Sequence, residues 1–412
     1  MAQPLEFISV SIENLKTMAN QDYSKRQLLE MGACTNCQFC AQVCPTVSAS
    51  LDGGLSAVSR IEGLKKILRS RHKLLSKLFR SEALSEDQWK HFSDEVFKCT
   101  LCGHCQEVCP VGIHLKDLWV SLRQDMVHSR FHPKKLNLIG DHLEEDHNVF
   151  GEDPEERAEW VEDLRHPPKD RYVRDQAEVV YFTGCVSAYY PVAQKIPVAL
   201  AQIMDLARIE FTLLGEDEWC CGFPLLGAGM KDKLQAYIAH NLQAVRRKKA
   251  RSVLFSCPSC YQMWREYYPP DIEIFHVTQF LKKLTEENRL PFKTLSMTVT
   301  YHDPCDLGRA SRIYREPREI IRSIPGIQLV ELPHNKENCR CCGGGGNLEM
   351  IDAPLAAEIA RQKIEEVVST GAQAVITSCQ QCVRTMLTHV KRNKIPLEVL
   401  DITQLVLRAL QK

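Results

Sequence analysis

Eighteen of the nineteen cysteines in this 412-residue chain fall into four regularly spaced sets. Cys34, Cys37, Cys40 and Cys44 follow C-x2-C-x2-C-x3-C with Pro45 behind them, and Cys99, Cys102, Cys105 and Cys109 repeat that string before Pro110. Further on come Cys185, Cys220-Cys221 and Cys257 with Cys260, then Cys305, Cys341-Cys342 and Cys379 with Cys382. Cys339 is left over. Thiols at such spacing bind metals or carry redox chemistry when they are kept reduced. The opening MAQPLEFISVSIENL lacks the basic start and apolar core of a secretory signal. No uninterrupted apolar run approaches the ~18 residues a membrane crossing needs. The sequence therefore reads as that of a cytoplasmic chain with reduced thiols. Its 44% apolar and 25% charged residues exclude disorder. With 52 basic and 52 acidic residues, the net charge of zero argues against nucleic acid as a partner.

The doubled N-terminal string is the bacterial-ferredoxin signature for two [4Fe–4S] clusters. Three close thiolates wrap one cube, and the proline turns the chain so that the fourth reaches the other. The first set is then Cys34, Cys37, Cys40 and Cys109, and the second Cys99, Cys102, Cys105 and Cys44. Structural zinc is the alternative, but zinc motifs usually separate their C-x2-C pairs by a longer loop. His104, inside the second string, is expected to tune or shield a cluster rather than bind it.

The elements that position these thiols can be read next. Between the two strings, Leu64, Ile67, Leu68, Leu74, Leu75 and Leu78 recur near helical spacing. The other side carries Arg60, Lys65, Lys66, Arg69, Arg71, Lys73, Lys77 and Arg80, either a solvated face or a docking face for an acidic partner. An acidic stretch runs from Asp141 to Asp163 and ends at His166-Pro167-Pro168, which breaks any helix. It reads as a linker packed on the surface or as a partner-facing segment.

Beyond it the chain repeats itself with an offset of about 120 residues. Val179–Phe182 leads to Cys185 as Met297–Tyr301 leads to Cys305. Ile209–Leu214 corresponds to Ile327–Leu332, Cys220-Cys221-Gly222 to Cys341-Cys342-Gly343, and Val253–Ser256 to Ala374–Ser378. His276–Leu281 matches Asp401–Val406. Leu234, Tyr237, Ile238, Leu242 and Val245 mark a helix whose copy carries Ile359, Ala360, Ile364, Val367 and Val368. Strands alternating with helices predict parallel sheets with the cysteines at the strand ends, where ligands of open α/β sheets bind. The two halves are expected to face each other about a pseudo-two-fold axis.

Each repeat offers five thiols, one more than a cubane cluster needs. A CC pair can bind two irons or bridge them, and the glycine behind it removes a crowding side chain. Gly343–Gly346 lack the Lys-Ser/Thr of a phosphate loop, so flexible backbone near a cluster is the better reading. His302 and Asp303, just before Cys305, could supply a proton or a hydrogen bond to a ligand, or His302 could simply be packed at a strand end. A ligand role shared by His276 and its counterpart Asp401 is doubtful. Cys339 is expected to be a spectator thiol rather than a sixth local sulfur. No G-x-G-x-x-G follows a strand, which assigns any flavin or nicotinamide to a partner.

These spacings resemble the CCG-domain family, from about Met31 onward. Two-copy members are similar to the catalytic subunit of heterodisulfide reductase, and the eight-cysteine module resembles that enzyme's small iron–sulfur subunit. The fusion in this order resembles the membrane-associated heterodisulfide reductases and their bacterial relatives. The resemblance implies a noncubane [4Fe–4S] cluster on Cys305, Cys341, Cys342, Cys379 and Cys382, where a disulfide is reduced with His302 alongside. It implies a second on Cys185, Cys220, Cys221, Cys257 and Cys260, with zinc the alternative there. Cofactors are then two cubane and one or two noncubane [4Fe–4S] clusters. Implied partners are a flavoprotein, a membrane cytochrome or a quinone-reactive subunit, with a small disulfide or sulfur compound as substrate. The chain would sit in the cytoplasm or peripherally on the cytoplasmic face of a membrane through such a partner. Glycolate-oxidase and anaerobic glycerol-phosphate dehydrogenase iron–sulfur subunits share the family, so an electron-transfer subunit without substrate cleavage is the alternative. The expected layout is multidomain: an α-helical ferredoxin-type domain over 1–145, an acidic linker over 146–176, and two pseudo-symmetric α/β CCG domains over 177–295 and 296–412.

Overall fold

The computed structural model describes residues 23–71 and 85–411. They fall into two compact units. One holds both N-terminal cysteine strings together with segments 224–232 and 343–360; the other holds 142–223, 233–342 and 361–412.

The first unit is helical. Helix Ala57–Arg71 buries Leu64, Ile67 and Leu68 as the apolar spacing predicts. Leu74, Leu75, Leu78, Lys73, Lys77 and Arg80 lie outside the described residues. Arg60 corrects the reading of a wholly solvated basic face, because it is buried. Its guanidinium donates to the carbonyls of Glu95 (3.0 Å) and Lys98 (3.3 Å). Those carbonyls end helix Glu86–Phe97, which begins on a Ser85/Gln88 capping box. A cation is favoured at that end by the helix dipole and the unpaired carbonyls.

The second unit contains two four-stranded parallel sheets with the same order. In the first, β1 (Val179–Phe182) lies between β2 (Phe211–Thr212) and β3 (Ser252–Phe255), and β4 (Glu273–His276) flanks β3. In the second, β5 (Met297–Tyr301), β6 (Ile327–Leu329), β7 (Ala374–Thr377) and β8 (Glu398–Asp401) repeat the arrangement. Strands β1, β3 and β7 are buried throughout, as parallel strands covered on both faces must be.

Helix packing is reciprocal across the repeats. Helix Lys195–Leu206 of the first packs on Ile402–Gln411 of the second, and Val277–Glu286 of the first packs on Arg315–Ser323 of the second. One apolar core joins Tyr181, Leu200, Leu254 and Leu281 to Tyr301, Ile320, Ile376 and Leu405. Each repeat thus offers the other the same pair of helices, which is what a two-fold relation produces. The tails matched in the sequence are strand-to-helix junctions: His276 and Asp401 end β4 and β8 and stand before the helices that follow.

Candidate functional site

Both N-terminal strings adopt the same local backbone. Asn36 and Leu101 have φ of 61° and 53°, and Gln38 and Gly103 have 68° and 73°, ahead of the short helices Phe39–Gln42 and His104–Glu107. Left-handed backbone at Asn36, Gln38 and Leu101 costs about 1–2 kcal/mol each. Such strain held at matched positions marks a functional loop. It turns amides toward sulfur: the Leu101 N–H approaches Cys99 Sγ at 3.4 Å. Burial pushes the Cys105 thiol up, and Cys102, Cys99 and Cys44 add to the shift. Cys44 therefore stands with the second string. Burial likewise raises Cys40, with Cys34 and Cys37 its sulfur neighbours. Cys37 is exposed, whereas Cys102 is buried. His104 is buried beside Cys105, and Cys109 is half-buried.

The four-glycine run has a steric cause within the same unit. A side chain on Gly345 would meet the Thr100 carbonyl at 2.5 Å, and one on Gly346 the Cys99 carbonyl at 2.2 Å. The run allows backbone to touch backbone next to the second string, which replaces the expectation of flexibility. Buried Arg123 holds that contact. Its guanidinium donates to the carbonyls of Phe97 (3.0 Å), Cys99 (2.7 Å), Gly227 (2.7 Å) and Gly346 (2.8 Å). Burial lowers its pKa to about 10.

In the first repeat, Cys185 begins a short helix after β1, and Cys257 precedes helix Pro258–Tyr267, which carries Cys260. Cys185 is paired with Cys220, Cys220 with Cys221, and Cys221 with Cys260. Hydrogen bonds from Cys220 and Cys260 lower the Cys221 pKa to about 6. All five thiols are buried and connected. Around them sits a fixed ion pair. Arg157 donates to Glu218 at 2.6 Å and approaches Cys185 Sγ at 3.7 Å. Glu218 also accepts the N–H groups of Thr183 and Gly184, each at 2.8 Å. Burial opposes the charge on Arg157, but Cys185 and Glu218 hold the guanidinium charged. Arg157 escaped the sequence reading because its neighbours gave the segment an acidic character; Trp160 and Val161, buried beside it, were the available signal.

In the second repeat, Cys342 Sγ lies 3.3 Å from Cys382 Sγ, and the Cys382 N–H approaches Cys379 Sγ at 3.4 Å at the start of helix Gln380–Arg392. A helix N-terminus favours thiolate. His302 joins Cys342 and Cys382, with ligand atoms within 4.8 Å of one another. Cys341 is buried beside Cys342, and Cys305 is half-buried ahead of the π-helical turn Asp306–Ala310. Asp303 is engaged by other partners. Its carboxylate grips Arg318 at 2.7 and 2.8 Å and accepts the Lys336 N–H.

Cys339, expected to be a spectator thiol, has polar side chains around it. Its sulfur lies 3.4 Å from His302 Nδ1 and 3.6 Å from Lys363 Nζ. Lys363 donates to Glu366 Oε2 at 2.6 Å, and Glu366 Oε1 meets His334 Nδ1 at 2.7 Å. Lys363 is wholly buried and His334 is 45% exposed, so this chain of side chains runs from the surface to the thiols. Burial works against charge on Lys363, but Cys339 and Glu366 hold it protonated. Lys363 lay on a helix read only for its apolar face, and nothing in the sequence distinguished it.

The two cysteine-pair loops cross-brace one another. Gln380, inside the second C-x2-C, donates to the Thr183 carbonyl (2.9 Å) and Ser256 Oγ (2.8 Å) of the first repeat. Ser259, inside the first, donates to Asp306 of the second at 2.7 Å. His276 is buried at its strand end, its Nδ1 beside Thr278 Oγ1.

Connected thiols, strained amide-presenting loops and glycine at the close approaches suit iron–sulfur clusters. Comparison with known proteins agrees. Residues 30–113 match the family described as a 4Fe-4S dicluster domain, and residues 179–265 and 299–387 each match the cysteine-rich CCG domain. The chain is 34% identical to the D subunit of the "Dihydromethanophenazine:CoB--CoM heterodisulfide reductase" of Methanosarcina acetivorans, over 93% of this chain and 95% of that one. It is 24% identical to "Probable iron-sulfur-binding oxidoreductase FadF" of Bacillus subtilis, over 98% of this chain and 63% of the relative. It is also 24% identical to "EtfAB:quinone oxidoreductase" of Syntrophomonas wolfei, over 95% of this chain and 60% of the relative. Among the described residues no helix is long and apolar enough to cross a membrane.

Proposed function

The chain belongs to the iron–sulfur oxidoreductases typified by the D subunit of heterodisulfide reductase, and from that premise we propose that it carries electrons through two cubane clusters to noncubane clusters and reduces a small disulfide there. Cys34, Cys37, Cys40 and Cys109 would hold the first cubane, and Cys99, Cys102, Cys105 and Cys44 the second. The five cysteines of each repeat would hold the noncubane clusters, with zinc the alternative in the first. Clusters so held supply one-electron transfer and, in the repeats, iron with affinity for sulfur.

The protein's own residues do the rest. Reduction breaks the S–S bond, and each sulfur gains one electron and one proton. The observation that carries the reading is the side-chain chain from His334 through Glu366, Lys363 and Cys339 to His302. Reaching two thiols consumes two protons, whereas electron transfer between clusters consumes none. Lys363 Nζ holds a proton in a buried position, and His302 stands beside Cys342 and Cys382, where a sulfur needs one. Asp303 is held by Arg318 instead of joining that chain.

The likeness to EtfAB:quinone oxidoreductase favours a second reading, an electron-transfer subunit between a flavoprotein and a quinone-reactive partner. In either case the chain works as one subunit among other redox subunits, any membrane attachment coming through a partner. Reduced viologen separates the two readings. The isolated chain, with about sixteen irons if all four sites hold four-iron clusters, is expected to oxidise about two dye molecules per disulfide reduced. Absence of turnover at that iron content would leave the electron-transfer subunit. About twelve irons with zinc present would mark a zinc-filled first repeat.

A further inference from the structure

Trp119 has a buried donor and no acceptor for it. It is 1% exposed, in helix Leu115–His128, which also buries Leu115, Leu118 and Leu122. Its indole Nε1–H meets no hydrogen-bond acceptor among the described residues. A buried tryptophan normally places that hydrogen on an acceptor, because a buried donor without one has given up its bond to water for nothing.

The helix brings the indole to cysteine sulfur. Its first turn is tied to the short helix His104–Glu107, which carries Cys105: the Lys116 N–H donates to Gln106 Oε1 at 3.3 Å. Trp119 stands one turn further along the same face. Burial raises the Cys105 thiol, and the Trp119 N–H acts against that rise, which puts the indole beside this sulfur. Over the ring lies Arg60, its guanidinium carbon 5.8 Å from the ring centroid. Arg60 is also 1% exposed and is held by the carbonyls of Glu95 and Lys98. Burial raises the Cys44 thiol as well, and the Arg60 charge works against it. Cys44 and Cys105 come from different strings, yet they belong to the one ligand set given above to the second cubane.

Reduction adds one negative charge to a cluster and its sulfurs. An N–H donor aimed at those sulfurs and a buried cation close by both favour the more negative state. Hydrogen bonds to sulfur are among the factors that set cluster potentials. We propose that the Trp119 Nε1–H donates to a sulfur of the cubane held by Cys99, Cys102, Cys105 and Cys44 and, with Arg60 behind it, raises the reduction potential of that cubane alone. This rests on the cubane assignment above and holds for either reading of what the chain finally reduces.

The test is a potentiometric EPR titration of the iron-loaded full chain. Trp119→Phe keeps an aromatic ring and removes the N–H. It is expected to shift the oxidised-to-reduced ratio of one cubane about fivefold toward oxidised at a given potential, the scale of one hydrogen bond. The other cubane should not move, and iron content should be retained. Cys37→Ser, which changes a ligand of the first cubane, identifies the signal that must stay in place. Unchanged potentials in an iron-replete Trp119→Phe, an equal shift of both cubanes, or a shift of the one that Cys37→Ser marks overturns the proposal. Should the variant lose iron, wild type grown with indole-15N tryptophan decides. A 15N coupling to the reduced second cubane in pulsed EPR is expected, and its absence overturns the proposal. A loaded wild type without two reducible cubane signals removes the cubane assignment itself, and the role of Trp119 with it.

Discussion

The two cysteine-rich repeats share strand order, thiol spacing and reciprocal helix packing, yet their surroundings differ in kind. Around the first five thiols the charge is fixed: Arg157, which stays protonated at any working pH, is locked to Glu218. Around the second five a line of polar side chains leads out to the surface, through His302, Cys339, Lys363, Glu366 and the part-exposed His334. Duplication supplied one scaffold, and the residues around each set of thiols gave it two characters. One repeat closes its thiols with a buried ion pair, and the other connects them to a part-exposed histidine.

Removing one thiol from each repeat gives the largest expected effect. Cys382→Ser should lower viologen-driven disulfide turnover at least about a hundredfold, the scale that acid–base assistance alone contributes. Cys260→Ser should leave measurable turnover, because the proton-bearing chain lies in the other repeat. Equal losses in two iron-analysed variants would show that the repeats do not divide the work.

The next effect concerns the ion pairs. Arg157→Leu leaves Glu218 buried with only two backbone N–H groups, at a cost of about 3–5 kcal/mol in urea unfolding of the loaded chain. Lys363→Met leaves Glu366 its partly exposed His334, so about 2 kcal/mol is expected. The order should reverse in turnover: Lys363→Met slows disulfide reduction about tenfold and alters its pH profile, whereas Arg157→Leu, where it folds, leaves the profile unchanged.

What the sequence disclosed follows the same division. The thiol sets, the strand runs β1, β3, β5 and β7 and the repeat were legible because each is a local pattern. Lys363, Gln380 and Arg157 were not, because what they do depends on partners brought near only by the fold. Gln380 meets Thr183 across 197 positions. Arg60 was read as part of a face that is either solvated or docks an acidic partner, because helical spacing shows where a cation points but not that another helix ends in carbonyls there. The glycine run was recognised, but its reason, the carbonyls of Cys99 and Thr100, lies in another cysteine string.

The last effect tests whether the difference extends beyond the thiols. His276 and Asp401 occupy matched strand ends with the same local bonds. Each backbone N–H donates to the next glutamine along the chain, Gln279 at 3.0 Å and Gln404 at 2.9 Å, and each side chain binds a threonine, Thr278 or Thr403. Burial has opposite consequences for the two. It lowers His276 from 6.5 to about 3, so the neutral ring contributes stability above pH 6.5 that is lost as pH falls toward 3. It raises Asp401 from 3.8 to about 7, so the neutral carboxyl contributes stability below pH 3.8 that is lost as pH rises through 7. Asp401→Asn, which keeps the acceptor for Thr403, should therefore remove a wild-type loss of about 2–3 kcal/mol between pH 5 and pH 8. His276→Gln should remove a loss of about 2 kcal/mol between pH 6.5 and pH 5. Urea midpoints across that range check both, and the two variants must flatten opposite limbs of the stability curve. If both flatten the same limb, the repeats do not differ in charge at their strand ends, and the contrast between them is confined to the thiol surroundings.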